Sequence, residues 1–430
     1  MTTRANGPDP RFGMEAPLIK SLTVQTPAGL QSTMSQSRVI TQMSGLTVTG
    51  QIDSVKINGR IYRTIYDGNL KQFTNISPEG RQTVTRVDNK GRVIEETVTG
   101  VSPIIYTYDT QGRLIETLQA DRRSTFVYDS RSRLASATDP LLRTTTFAYD
   151  SVGRITQQVL PGAREILYSY DSNGNLTALT PPSRPAHSFG YTSVDLTARY
   201  RPPLLNGDST VTRYLYDLDR RLRNTIRPDS VAVSVFYDTL GCGSCGSAGR
   251  PKTIIFDRGT LNFTYNSITG LLNSLSAPGG HALTYNYDGT LPKKATWSGE
   301  VQGNVEVTYD NNFRVASQKV NGGNSVSFQY DNDGLLKAAG ALTITRDAQN
   351  ERITGTTLGN GTTGQAYNSF GESLSFHAVF ASDTLFKTVY AQDSLGRITE
   401  ITETIQGQTR KSNYVYDAAG RLTDVSRNDT

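Results

Sequence analysis

The residues of this chain best suited to chemistry are Cys242 and Cys245, its only two cysteines, set in the run Leu240-Gly241-Cys242-Gly243-Ser244-Cys245-Gly246. A Cys-x-x-Cys pair is half of a zinc site, a redox couple or a small disulfide. A closed zinc site needs two further ligands. The three histidines, His187, His281 and His377, stand singly and far apart. A redox pair normally opens a helix, whose dipole lowers the thiol pKa, and nothing helical follows Cys245. Two readings are left: a disulfide stapling a Gly-rich turn in an oxidising setting, or two idle thiols. No nucleophile–base pattern, phosphate loop, zinc-protease or dinucleotide motif occurs. Asp139-Pro140 falls in a turn. No metal site, cofactor or catalytic residue is therefore predicted, and the chain is read as a non-enzyme.

Carboxylates are plentiful, but their placement is periodic. Tyr-Asp recurs about every 21 residues, usually as Tyr-Asp-x-x-Gly-Arg-Leu. The clearest copies are Tyr108-Asp109 with Gly112 and Arg113, Tyr128-Asp129, Tyr149-Asp150 with Gly153 and Arg154, and Tyr170-Asp171 with Gly174. Further copies are Tyr216-Asp217, Tyr330-Asp331 with Gly334, Asp393 with Gly396 and Arg397, and Tyr416-Asp417 with Gly420 and Arg421. A residue type repeated at fixed spacing argues for packing, because a unique site needs a unique residue.

The repeat reads as one β-hairpin. Ile104 to Tyr108 is rich in β-branched and aromatic residues, Asp109 to Gly112 is a turn, Leu114 to Leu118 is a second run, and Ala120 to Arg123 is a second, polar turn. Asp suits the first turn position because its carboxylate accepts backbone N–H bonds, and Gly three residues on supplies a positive φ. A large apolar residue two before the motif Tyr (Tyr106, Phe126, Phe147, Tyr168) shares its face, which predicts cross-strand aromatic ladders. The Arg after the turn is placed to stack on a ladder Tyr or to pair with a neighbouring repeat's Asp.

Tandem units of this length stack into an array, since none buries its apolar face alone. Residues 1–60 read as degenerate N-terminal repeats and 61–430 as the array proper. Within the array, 181–213 is either an insertion or eroded copies. The motif at Tyr416 is expected to open a repeat whose partner strand lies beyond Thr430, so the array is predicted to be cut at its C-terminus. Residues 1–20 lack the basic start and apolar core of a signal peptide. No run of 18 apolar residues occurs, so no transmembrane segment is expected. The net charge of +5 is small, Arg serves largely within the repeat, and no basic run marks a nucleic-acid partner. A β-propeller is the alternative fold, although its blades should make the period about twice as long.

These copies, with Tyr367-Asn368-Ser369-Phe370-Gly371-Glu372, resemble the RHS/YD-repeat family. It includes bacterial RHS proteins, wall-associated proteins, shell components of insecticidal toxin complexes and the teneurin ectodomains. The resemblance implies an all-β chain whose hairpins join into one long antiparallel sheet spiralling into a hollow shell. It also implies a secreted or cell-surface setting and a structural role: enclosing and presenting a toxin or effector cargo. The alternative is an adhesion module binding a cell-surface glycan or protein. One departure is plain. The Asp-Pro-x-Gly self-cleavage motif of many bacterial members is missing, since Asp139-Pro140-Leu141-Leu142 lacks the Gly.

Overall fold

A computed structural model describes residues 1–45, 47–203, 211–238 and 249–429. They form 38 strands of one antiparallel sheet. The single helical piece among the described residues is a 3-10 turn at Pro278–Gly280. Each strand pairs with the next in the chain wherever a register is defined, as in Ile104–Tyr108 with Leu114–Gln119 and Leu114–Gln119 with Arg122–Tyr128. A propeller would divide the strands into separate blades, so this continuous pairing overturns that alternative.

Two kinds of connection recur. At the motif turn the ladder skips a residue beside the tyrosine, as where Tyr128 faces Leu134 while Val127 faces Ser136. Such a bulge adds local right-handed twist. The other connection is tighter than its sequence suggests. Gln119 pairs with Arg122, so the turn is only Ala120 and Asp121, with Ala120 at φ 51. Arg122 and Arg123, expected in the turn, already belong to the strand, because a two-residue turn with positive φ matches the twist of the strands it joins.

Side chains alternate as a strand requires. Ile104, Tyr106 and Tyr108 are half-buried, while Ile105 and Thr107 are exposed. Burial stops there. Ala338 is the one buried apolar residue among those described, and no large side chain is fully buried. A sheet without a dry core depends on its ladder and on contacts between repeats.

The motif glycines carry the strained turn position, with Gly112 at φ 88 and Gly153 at φ 95. Other copies hold a side chain there, among them Leu142 at φ 60. Leu142 is 84% exposed, so its side chain contributes no packing. Leu142→Gly is expected to stabilise the protein by about 1 kcal/mol, because an L-residue in the left-handed region costs about that much. A urea midpoint shifted upward would check it.

The first strands, Thr2–Asp9, Gly13–Gln25, Gln31–Ser44 and Thr47–Ile57, run from 8 to 14 residues, longer than Ile104–Tyr108 and Arg122–Tyr128, which have 5 and 7. Residues 181–213 contain a hairpin of the common pattern, His187–Tyr191 paired with Thr197–Arg201. At the far end the partner strand of the last motif, expected beyond Thr430, lies before it. Leu422–Asp429 does return along Gln408–Tyr416, with Arg410 opposite Asp429. The final motif therefore has its partner strand, since eight residues after the turn suffice to span the neighbouring strand.

Contacts divide the chain into two units. The first comprises Met1–Thr144, Thr308–Ser317 and Ser325–Thr430, and the second Thr145–Val307 and Gln318–Asn324.

Candidate functional site

The recurrent polar constellation is the motif turn. Asp109 Oδ1 accepts the backbone N–H groups of Gln111 and Arg113, each at 2.9 Å. Its Oδ2 accepts Arg113 Nε at 2.7 Å. Gly112 N–H donates to the Asp109 carbonyl at 3.0 Å, closing the turn. The same set recurs at Asp129 with Arg133, Asp150 with Arg154, Asp217 with Arg221, Asp393 with Arg397 and Asp417 with Arg421. The motif Arg thus pairs with its own repeat's Asp. The expected pairing with a neighbouring repeat is corrected: four residues apart across one tight turn, the two groups meet locally. Asp139 holds Arg143 in the same way, so the Asp139-Pro140 bond sits inside a turn of this type.

The guanidinium has a second contact. Arg113 lies 4.8 Å from the centre of the Tyr128 ring, which belongs to the next repeat. The Tyr128 hydroxyl donates to the Leu114 carbonyl at 2.9 Å. The clamp repeats as Arg92 on Tyr108, Arg154 on Tyr170, Arg221 on Tyr237, Arg314 on Tyr330 and Arg397 on Tyr416. Ring-to-ring pairs such as Tyr66 with Phe73, opposite each other across two strands, and Phe376 with Phe386 stay isolated among the described residues and do not continue into the expected ladders. Motif tyrosines of successive repeats lie two strands apart, roughly 10 Å, too far for rings to touch. The Arg at the end of the intervening turn reaches the tyrosine of the next repeat instead.

Degenerate copies keep the geometry with other atoms. Tyr191-Thr192 lacks the Asp, yet Thr192 Oγ1 accepts Leu196 N–H at 3.1 Å and the Tyr191 hydroxyl donates to the Leu176 carbonyl at 2.8 Å. At Asp171 the Arg is replaced by Asn175, which donates to Asp171 Oδ2 at 3.1 Å. The Tyr216 hydroxyl donates to the Thr197 carbonyl at 2.8 Å.

The turn carboxylates titrate low. Backbone N–H donation from the Arg residue, with its guanidinium in support, holds Asp109, Asp129 and Asp150 below the ordinary 3.8. In the Asp88 turn the same donation from Arg92 carries the value down to about 2. Such groups stay ionised at neutral pH and are poor proton donors, the reverse of what general acid catalysis needs. Tyr106 is pushed up to about 12 by burial and by its hydrogen bond to Glu96. No His/Cys/Asp/Glu group of metal-binding size occurs among the described residues. His187 Nδ1 lies 2.8 Å from the Tyr200 hydroxyl. Cys242 and Cys245 lie outside the described residues.

A continuous hairpin sheet built on a Tyr-Asp turn has a counterpart among family models: the model described as Teneurin YD-shell matches residues 6–430. This chain belongs to the Teneurin YD-shell family. No curated protein matches this chain in sequence. Its fold is similar to a structure of the Photorhabdus luminescens Tc holotoxin pore, with TM-score 0.70 and 13% identity over 100% of this chain and 26% of that one. It is also similar to TcdB2-TccC3, with TM-score 0.68 and 14% identity over 96% of this chain and 28% of that one. This chain spans about a quarter of the length of the chains it resembles.

Two clefts lie in the first unit of the YD shell. One, of ≈ 560 Å³, is lined by Tyr62, Arg63, Asn75, Arg81, Asn350 and others. The second, of ≈ 540 Å³, is lined by Arg81, Tyr330, Asp331, Lys337, Arg346 and others. Neither was legible in the sequence, because each joins residues some 250 positions apart.

The turn constellation predicts its own energetics. Asp310 accepts Asn312 N–H at 2.8 Å, Arg314 N–H at 3.0 Å and Arg314 Nη2 at 2.7 Å. Asp310→Ala is expected to cost about 2 kcal/mol, as the loss of charge-assisted bonds at a partly buried turn. Asp310→Asn should cost less, since the amide oxygen still caps the turn. Equal losses in a urea titration would show that charge, and not the turn acceptor, dominates.

Proposed function

We propose that this YD shell is a non-enzymatic structural scaffold that encloses and presents a secreted toxin or effector cargo. The observation that carries the reading is the use of the chain's repeated polar residues. Asp, Arg and Tyr of each motif are spent on one another, in the turn and in the clamp to the next repeat, which leaves few groups free for a reaction. Likeness to Tc toxin structures supports a shell role, and a secreted or cell-surface setting accords with it. The motif residues act as scaffold in this reading, and Cys242 and Cys245 are dispensable for it. Residues 1–60 serve as its degenerate first repeats.

The test uses the natural gene product containing these residues. A protease-sensitive segment within it is expected to survive a protease dose that destroys the same segment expressed alone. Equal digestion of the two would overturn the container.

One observation favours a second reading, a glycan- or protein-binding module. The ≈ 560 Å³ cleft has the size of a small-molecule site and combines Tyr62 with the amides of Asn75, Gln82 and Asn350. Saturable binding on a glycan array, lost in Asn75→Ala with Asn350→Ala, would favour this module.

A further inference from the structure

Within the first unit, two strips of sheet meet along their rows of turns, joining residues 250 to 280 positions apart. The joint is made mainly of side chains. Asn58 donates to the Asn311 carbonyl at 2.9 Å and to Asn312 Oδ1 at 2.6 Å. Ser77 Oγ donates to Asp333 Oδ2 at 2.7 Å, and Glu79 N–H donates to Asp333 Oδ1 at 3.0 Å. A backbone bond crosses at one further point, from Ser102 N–H to the Ser369 carbonyl at 2.7 Å.

The cations at this joint answer specific losses from the motif. In the Asp331 turn the motif Arg is replaced by Leu335. Asp331 Oδ1 still accepts the N–H groups of Asp333 and Leu335, at 3.0 and 2.8 Å. Its Oδ2, which elsewhere takes the repeat's own Arg, takes Arg81 Nη2 at 3.0 Å, and the other nitrogen of that guanidinium bonds Asp333. In the Asn368 turn the polarity is inverted, with Asn in the Asp position and Glu372 in the Arg position. Arg122 meets Glu372 through two bonds, at 2.6 and 2.9 Å, and its guanidinium lies 3.5 Å from the centre of the Phe370 ring. The side chains of Arg81, Asp331 and Asp333 are 10%, 13% and 5% exposed, so this cluster is largely withdrawn from solvent screening.

We infer that these two altered copies form a latch: Arg81 with Asp331 and Asp333, and Arg122 with Glu372, hold the strips together in a joint that opens as a unit while the strand ladders stay paired. Two features argue for separability. Turns meet turns across the joint, so opening it breaks few ladder hydrogen bonds. Both clefts border Arg81, so packing beside that clamp is open. The two bonds of Arg122 with Glu372 instead set the closed state, since removing one partner leaves the other charge partly buried and unpaired. The inference holds whatever the shell encloses.

Hydrogen exchange on the full chain tests it. Ser102 N–H reports the joint, and the ladder amides of Ile104–Tyr108 and Gly361–Tyr367 report the sheet. In Arg81→Ala with Arg122→Ala, exchange at Ser102 is expected to rise by about tenfold or more, with ladder amides within about twofold of the parent. The exchanged pair Arg122→Glu with Glu372→Arg should return Ser102 to within about threefold, although Arg122→Glu alone should not. Unchanged exchange at Ser102, or equal acceleration of joint and ladders, would overturn the latch. Should the double alanine variant fail to fold, the exchanged pair decides the matter against Arg122→Glu alone: no recovery at Ser102 sinks the inference.

Discussion

Tyr128→Ala is expected to destabilise the protein by about 3 kcal/mol. The figure sums about 1.5 kcal/mol for a half-buried ring, about 0.5–1 for the stacked Arg113 guanidinium and about 1 for the hydroxyl bond to Leu114. It lies at the low end of aromatic truncations because the ring has solvent on one side. Tyr128→Phe should lose only the hydroxyl share. Urea unfolding of the two variants separates the contributions. If Tyr128→Phe costs as much as Tyr128→Ala, the Arg113 contact at 4.8 Å contributes nothing and the clamp is a hydrogen bond alone. The effect should spread beyond its own site. In an array each repeat is stabilised by its neighbours, so losing one clamp weakens the interface on both sides.

The second large effect is with acid. Backbone N–H donation lowers Asp109, Asp129 and Asp150 from the ordinary 3.8, and Asp88 falls to about 2. Glu306, held by Lys294 and Lys319, falls from 4.5 to about 2. Hydrogen bonds from Arg122 lower Glu372 at the latch. Groups depressed in the folded state give their full stabilisation above their unfolded values and lose it as pH falls through the folded ones. The β signal by circular dichroism is therefore expected to hold down to about pH 4 and to collapse between about pH 4 and 2. The collapse should be steep, since many turns protonate in the same window. Unfolding complete above pH 5 would show that the Asp–Arg turns do not hold the sheet.

The sequence alone determined what is encoded within about 21 residues. The Asp-x-x-Gly spacing specified a turn in which a carboxylate gathers backbone N–H groups and a glycine takes positive φ, and Asp109 with Gly112 does both. Alternation from Ile104 to Tyr108 specified a strand and the face its tyrosines share. Recurrence of the unit specified the all-β array, and with it the family. Three matters needed the tertiary structure. Which tyrosine each motif Arg stacks on depended on the distance between repeats, which the spacing of residues does not reveal. The copy at Tyr191-Thr192 was hidden because a threonine hydroxyl can replace a carboxylate as turn acceptor. Above all, the pairing of Arg81 with Asp331 and of Arg122 with Glu372 leaves no local trace. In sequence Leu335 and Glu372 look like decay of the motif. Only when residues 250 positions apart are brought together do they become the places where one strip lacks a cation and the other supplies it.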